Sequence, residues 1–299
     1  MLRYHQTPIQ ELIGYRALER AGVRILVKRE DLNHPYVSGN KWWKLKYNLE
    51  AAIIARHHKI LTFGGAFSNH IHATAAAAKE MNLKAIGIIR GEETLPLNPT
   101  LRFAVENGME LSYVNRAAYR KKNTREFFDE IHEQFGDFYL IPEGGSNLLA
   151  VKGCAEFATK ELMPIDFDHL LLPVGTGGTL AGLICGLEGR KNIFGVPVLK
   201  GGGFLEKDVE MMVRDFSGTT FGNWSLLTEY HHGGYAKVTN ELLAFMQEIK
   251  NAHNLPLDHV YTGKLFYAVI KEVEAGSFAR GSTLLVLHTG GLQGAVQSI

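Results

Sequence analysis

His169-Leu170-Leu171-Leu172-Pro173-Val174 runs directly into Gly175-Thr176-Gly177-Gly178-Thr179-Leu180-Ala181-Gly182. A short unbroken apolar run reads as a strand buried on both faces. The residues after it turn small and hydroxylated, and then helical. A strand, a glycine loop and a helix in that order are the joint of an α/β fold. The joint also has chemistry. Successive backbone N–H groups at a helix start, helped by the helix dipole and two threonine hydroxyls, form a cradle for an anion. A phosphate is the natural guest, and a tight strand-to-helix turn without a ligand is the other reading. A dinucleotide fingerprint fits less well. The loop falls past mid-chain, and the strand-like Val196-Pro197-Val198-Leu199 is followed by Lys200-Gly201, with no acidic residue to take a ribose.

The same alternation extends outward. Strands are expected at Val23–Lys28, Lys59–Phe63, Lys84–Ile89, Glu110–Val114, Tyr139–Ile141 and Ser282–Leu287. Helices are expected over Lys41–His57, Ser68–Met81, Asn98–Asn107, Thr124–Gln134, Asn147–Leu162, Thr239–Ala252 and Leu265–Ala275. Leu2–Gly22 reads as mixed and Gly201–Gly234 as loop-rich with short elements, of which Gly201–Trp224 is expected to line part of a cavity. The pattern predicts α/β architecture with parallel-rich sheets flanked by helices and functional loops at the strand C-termini. Residues 43–148 are expected to form a small domain with its own sheet, set into a large domain made of 1–42 and 149–299.

Composition narrows the function. The chain has 299 residues, with 45% hydrophobic, 21% charged and a net charge of +1, which is ordinary for a globular protein with a real core. That balance offers no nucleic-acid footprint and no polybasic membrane arm. No apolar run approaches the roughly 20 residues needed to cross a bilayer. Two distant cysteines, Cys154 and Cys185, give neither a disulfide framework nor a zinc spacing and fit a reducing compartment. No apolar leader is visible at the N-terminus, so a cytoplasmic protein is expected.

Two further loops precede helices. Tyr36-Val37-Ser38-Gly39-Asn40-Lys41-Trp42-Trp43-Lys44 presents two lysines three positions apart after an acidic turn, Glu30-Asp31, which reads as solvated or capping. Gly64-Gly65-Ala66-Phe67-Ser68-Asn69-His70 offers free amides that can bind a carboxylate, with the Ser68 hydroxyl and the Asn69 amide beside them. A plain N-cap at Ser68 or Asn69 is the alternative. Gly233-Gly234-Tyr235 and Tyr261-Thr262-Gly263-Lys264 carry tyrosines that could be packing or chemistry. His231-His232 and His288 lack acidic or thiolate partners at ligand spacing, so no metal is expected.

Taken in order, Lys28-Arg29-Glu30-Asp31, Gly39-Asn40-Lys41 with Lys44, Ser68-Asn69-His70, Gly144-Gly145-Ser146-Asn147, the Gly175 loop, Gly234-Tyr235, Tyr261-Thr262-Gly263-Lys264 and His288-Thr289-Gly290-Gly291 resemble one family. It is the fold-type II pyridoxal-phosphate enzymes of the 1-aminocyclopropane-1-carboxylate deaminase and D-cysteine desulfhydrase family. The resemblance implies a two-domain architecture with pyridoxal 5'-phosphate in the cleft, a homodimer and a small amino-acid substrate. It implies that Lys41 carries the cofactor aldehyde and that Lys44 and the loop Gly175, Thr176, Gly177, Gly178 and Thr179 hold its phosphate. Asn69 falls beside the ring 3-oxygen and Ser68 near the substrate α-carbon. His70 and Thr289 fall near the substrate, and Tyr235 and Tyr261 match two active-site tyrosines. Cyclopropane deaminases of this family carry a glutamate where Thr262 stands and a leucine where Thr289 stands. A neutral threonine is a weaker partner for the pyridine nitrogen than a carboxylate. The resemblance therefore favours β-elimination from D-cysteine over opening of a cyclopropane ring. A nucleotide-binding regulatory α/β protein is the alternative of another class.

Overall fold

The computed structural model describes residues 2–294. In chain order the elements are β1 (Ile9–Leu12), α1 (Arg16–Ala21), β2 (Arg24–Lys28), α2 (Asn40–Ile54), β3 (Lys59–Gly65), α3 (Asn69–Glu80), β4 (Lys84–Arg90) and α4 (Pro99–Glu106). They continue with β5 (Met109–Val114), α5 (Arg116–Tyr119), α6 (Arg125–Phe135), β6 (Tyr139–Ile141), α7 (Leu148–Phe157), β7 (His169–Val174) and α8 (Gly178–Leu187). Then follow β8 (Asn192–Pro197), α9 (Leu205–Ser217), β9 (Trp224–Leu226), α10 (Asn240–His253), α11 (Thr262–Glu274) and β10 (Thr283–Leu287). One sheet has six strands in the order β1-β2-β10-β7-β8-β9, and the other has four in the order β5-β4-β3-β6. Only the β1–β2 pairing is antiparallel. This is the parallel-rich α/β fold the sequence predicts. The four-stranded sheet is built entirely from residues 59–141.

Four local expectations need correction. Leu2–Gly22, read only as mixed, holds an edge strand and a short helix; its buried apolar anchors Leu2, Leu12 and Leu18 are too widely spaced to show a periodicity. β8 begins at Asn192, four residues before the expected strand, since Gly195 breaks the apolar run without breaking the ladder. α9 is a 13-residue helix inside the supposed loop region. It buries Leu205, Val209 and Val213, a single narrow stripe at four-residue spacing, with charges on the rest of its surface. The expected helix to Leu162 ends its α-helical part at Phe157 and finishes as a π-turn over Ala158–Leu162.

The packing fixes where the site lies. α7 sits so close to α2 that a Cβ on Gly153 would come 2.0 Å from the Trp43 carbonyl oxygen. It approaches α8 as closely, since a Cβ on Gly182 would fall 2.3 Å from Cys154 Cβ. Through α7, the start of α2 is locked against the start of α8. One core runs continuously from Trp43 and Ile71 through Val151 and Phe157 to Leu170 and Leu285, and so joins both sheets. A second core lies beneath α10 and α11, and a third lies beneath α6. Each fully buried Leu or Ile in them contributes about 1.5–3 kcal/mol.

The Glu30-Asp31 turn is buried rather than solvated. Glu30 is completely enclosed and accepts from Trp43 Nε1 (2.9 Å), Asn33 Nδ2 (3.0 Å) and the Thr7 hydroxyl. Lys28 Nζ lies 3.9 Å away. Asp31 takes a two-point contact from Arg29 (2.9 and 2.7 Å) and lies 3.3 Å from His288 Nδ1. Burial raises the Glu30 carboxyl above its ordinary range despite these donors. The turn is a rivet: its backbone carbonyl accepts the Gly39 N–H at 3.0 Å and so sets the entry of α2.

Candidate active site

α2 begins at Asn40, immediately after Gly39, whose φ of 69° and ψ of −144° suit glycine alone. Asn40, Lys41 and Lys44 project from its first turns into a cavity of about 800 Å³. Lys41 Nζ donates to Asn40 Oδ1 at 2.9 Å, and Asn40 Nδ2 donates to Thr179 Oγ1 at 2.8 Å. Lys44 Nζ donates to Ser146 Oγ at 2.9 Å, and Ser146 Oγ lies 2.6 Å from Thr176 Oγ1. Each lysine is thereby linked to the glycine loop between β7 and α8. Among the described residues neither is paired with a carboxylate. Burial pulls the Lys41 amine down to about 8. It pulls Lys44 down to about 7, with the neighbouring Lys41 charge adding to the effect.

The loop itself is built for an anion. α8 starts at Gly178 behind Gly177, which has a φ of 80° and caps the helix with no side chain, so the first N–H groups have no intrahelical partner. A Cβ on Gly178 would stand 2.8 Å from Ser146 Oγ and 3.3 Å from Lys44 Nζ, so the backbone is left bare where an anion would sit. Gly175, Thr176, Gly177 and Thr179 line the same cavity.

Ser68, Asn69 and His70 form the opposite wall at the start of α3. Ser68 does cap that helix, accepting from the His70 N–H (3.2 Å) and the Ile71 N–H (3.3 Å). Its own hydroxyl proton remains free to donate into the cavity, so the cap and the functional reading coexist. Asn69 Oδ1 accepts from Gln293 Nε2 at 2.7 Å, which leaves the Asn69 NH2 as the donor. Thr62 Oγ1 gives its proton to the Ile141 carbonyl (2.8 Å) and therefore accepts from His70 Nε2–H (2.7 Å). His70 thus donates from Nε2, and its Nδ1 lies 3.5 Å from the Thr74 hydroxyl. Burial and the charges of Lys44 and Lys41 hold its pKa well below the ordinary value.

Tyr235 and Tyr261 meet nearly edge to face, with ring centroids 6.2 Å apart and planes at 77°. Burial raises both phenols, and Tyr235 raises Tyr261 further. The Tyr261 hydroxyl lies 3.3 Å from where a Cβ on Gly175 would be. Lys264, fully buried, donates to the Gly234 carbonyl at 2.7 Å and steadies the turn that presents Tyr235.

The two threonines part company. Thr289 lines the cavity at the end of β10, whereas Thr262 is enclosed behind the wall. The Thr262 hydroxyl donates to Asp258 Oδ2 (2.7 Å) and accepts the Asp258 N–H (2.8 Å). The cavity also holds Ser146 of the Gly144-Gly145-Ser146-Asn147 motif and, from the stretch expected to line it, Phe204, Met211 and Met212; Arg90 and the Lys122–Glu143 ion pair (3.2 Å) are groups that no motif flagged. Arg90 and Glu143 follow the ends of β4 and β6, the ends where α/β proteins place their sites, and strand position was the available signal.

The pattern of pyridoxal-phosphate dependent enzymes matches residues 1–290. The chain belongs to that family. A Pyrococcus furiosus protein provisionally named a 1-aminocyclopropane-1-carboxylate deaminase is 32% identical, over 97% of this chain and 90% of its own length. The Arabidopsis thaliana mitochondrial bifunctional D-cysteine desulfhydrase/1-aminocyclopropane-1-carboxylate deaminase is 29% identical over 93% of this chain and 75% of that protein. The crystal structure of an ACC deaminase homologue superposes with a TM-score of 0.83 at 28% identity, covering 98% of this chain and 92% of that one.

The cavity of this pyridoxal-phosphate enzyme fits its cofactor. Lys44, a buried cation without a counter-ion, sits with an uncapped helix start and three hydroxyls where a phosphate would be held. Lys41 has an amine close enough to neutrality to bond an aldehyde carbon. The pKa near 7 at Lys44 has a measurable consequence. Pyridoxine 5'-phosphate has no aldehyde to react with Lys41, and its phosphate is already dianionic above pH 7. Its binding requires Lys44 to be charged. Affinity is expected to hold below pH 7 and to fall as pH rises to 8.5, by up to about tenfold per unit. Lys44→Met should weaken binding and flatten the profile; calorimetric titration of both proteins at several pH values reads this directly.

Proposed function

We propose that the enzyme catalyses β-elimination with deamination of a small amino acid, D-cysteine giving pyruvate, hydrogen sulfide and ammonia. One observation carries the preference: Thr289, which lines the cavity, is a neutral hydroxyl, and Thr262 turns its own hydroxyl to Asp258. Asp258, behind the cavity wall, is taken up by Thr262 and by the N–H groups of Val260, Tyr261 and Thr262 at 2.7–2.9 Å. A ring nitrogen held on the Thr289 side would meet a neutral hydroxyl, a weaker support for the electron sink than an acid. Departure of a good β-substituent needs less of that sink than ring opening does.

When bound, the cofactor supplies an electron sink for the bonds at the substrate α-carbon. The residues do the rest. The Asn69 N–H, which the Ser68 cap leaves unused, and the Ser68 hydroxyl hold the α-carboxylate. The Lys41 amine, neutral in appreciable fraction around pH 8, takes the α-proton. Asn69 donates to the ring oxygen, and the Tyr235–Tyr261 pair faces the departing group. Both phenols stay protonated and can return a proton to it. We also propose that the protein acts in the cytoplasm as a homodimer, with residues 43–148 as a small domain closing on the remainder.

Deamination of 1-aminocyclopropane-1-carboxylate to 2-oxobutanoate is the second reading, favoured by the names of the relatives. Product identification separates the two. Pyruvate from D-cysteine is expected to form at least about tenfold faster than 2-oxobutanoate from the cyclopropane acid, in line with the weaker sink. Predominant 2-oxobutanoate would reverse the assignment.

A further inference from the structure

Arg90 has no role in the chemistry so far, yet it faces the reacting end of the cavity. It stands at the C-terminal end of β4, and its Nη2 lies 3.4 Å from where a Cβ on Gly65 would be. The same Gly64-Gly65 turn carries Ser68, whose Oγ would be 2.8 Å from a Cβ on Gly64. The Arg90 guanidinium lies 5.6 Å from the centroid of the buried Tyr119 ring, a cation–π contact made by an otherwise exposed side chain. Lys122 takes another position over that ring (5.1 Å) but is neutralised by Glu143. Lys44 belongs to the phosphate cradle and Lys41 to the aldehyde. The remaining acids of the cavity, Asp208 and Asp215, are on α9, beside Gly177 at the phosphate end. Among the described residues Arg90 makes no ion pair and no hydrogen bond, and it is close enough to Tyr235 for its charge to favour that phenol's ionised form.

We propose that Arg90 is a catalytic residue that receives the negative charge developing on the β-substituent as it leaves. The inference rests on the elimination reading above. In that step the α-proton passes to Lys41, the Cβ–S bond breaks with its electron pair going to sulfur, and hydrosulfide departs against the guanidinium. Tyr235 or solvent then supplies the proton that completes hydrogen sulfide. Hydrolysis of the released enamine consumes one water and yields pyruvate and ammonia. A permanently charged donor beside developing charge stabilises the transition state more than the ground state.

A leaving-group series tests this on the holoenzyme. D-3-Chloroalanine, D-cysteine and D-serine present chloride, hydrosulfide and hydroxide, in order of rising basicity. Arg90→Gln is expected to lower kcat for D-cysteine by about 10²–10³-fold, as loss of one such donor does elsewhere. The loss should be larger for D-serine and under about tenfold for D-3-chloroalanine, with Arg90→Lys in between, following the charge each group must carry. Affinity for pyridoxine 5'-phosphate should be unchanged, which separates chemistry from misfolding. An equal loss on all three substrates, or a change confined to KM, would mean that Arg90 binds the α-carboxylate and would overturn the proposal. So would no loss at all. A wild-type enzyme that forms no pyruvate from any of the three would instead overturn the elimination reading, and this inference with it.

Discussion

Lys41→Ala should leave a folded protein that binds pyridoxine 5'-phosphate with wild-type affinity within about threefold, yet loses turnover by at least about 10³-fold. The loss has two sources: no amine remains to hold the aldehyde, and none remains to take the α-proton, a task worth about 10²–10⁴ by itself. Binding survives because the Gly175 loop, Ser146 and Lys44 do not depend on Lys41 for their positions. Lys44 loses a like-charged neighbour in the exchange, so its own pKa should rise from about 7. The yellow colour of the holoenzyme should disappear, and small primary amines should restore part of the rate. Retention of both colour and turnover would move the role to another amine, with Lys44 at the cradle the first candidate among the described residues.

The second large effect is expected at a residue with no chemistry of its own. Gly39→Ala places a methyl 1.8 Å from the Thr289 carbonyl oxygen, a main-chain atom that cannot swing aside. It does so at a φ of 69° and ψ of −144°, a conformation that costs a non-glycine residue about 1–3 kcal/mol before any clash. Relief requires α2 and the turn after β10 to move apart, which displaces Lys41 and Thr289 together. A loss of at least about 3 kcal/mol in stability is expected, at the severe end for a single substitution. Activity should fall by about 10² or more, since small misplacements of catalytic groups cost that much. Denaturant unfolding and steady-state kinetics read the two effects separately. A stable, fully active Gly39→Ala protein would show that the α2 entry is more tolerant than its contacts allow.

The architecture was legible in the chain alone, and so were the loops that the cavity brings together. The runs His169–Val174 and Lys59–Phe63 become β7 and β3 because a strand buried on both faces must be apolar throughout, and that leaves a local record. The glycine-rich joints at Gly64 and Gly175 were legible because backbone that approaches a ligand cannot carry side chains. α9 was not legible, since its narrow stripe of Leu205, Val209 and Val213 is embedded among glycines and charges. β1 was missed because an edge strand of four residues has almost no pattern.

Only the tertiary structure decided which residues share the cavity. Lys41 and Ser68, Thr176 and Tyr235, are brought together by the fit of α2, α7 and α8 and by the parallel sheet ends, contacts that leave no mark within any short window of sequence. It also separated two threonines that looked equivalent: Thr289 faces the cavity, while Thr262 turns its hydroxyl to Asp258. Arg90 came into view in the same way. A surface-type arginine after a strand is unremarkable in sequence, and its significance lies in what surrounds it, an aromatic face, a glycine turn and no counter-ion. Local order is set by neighbours in the chain, but a site is set by neighbours in space, and side-chain direction is fixed only once the core has closed.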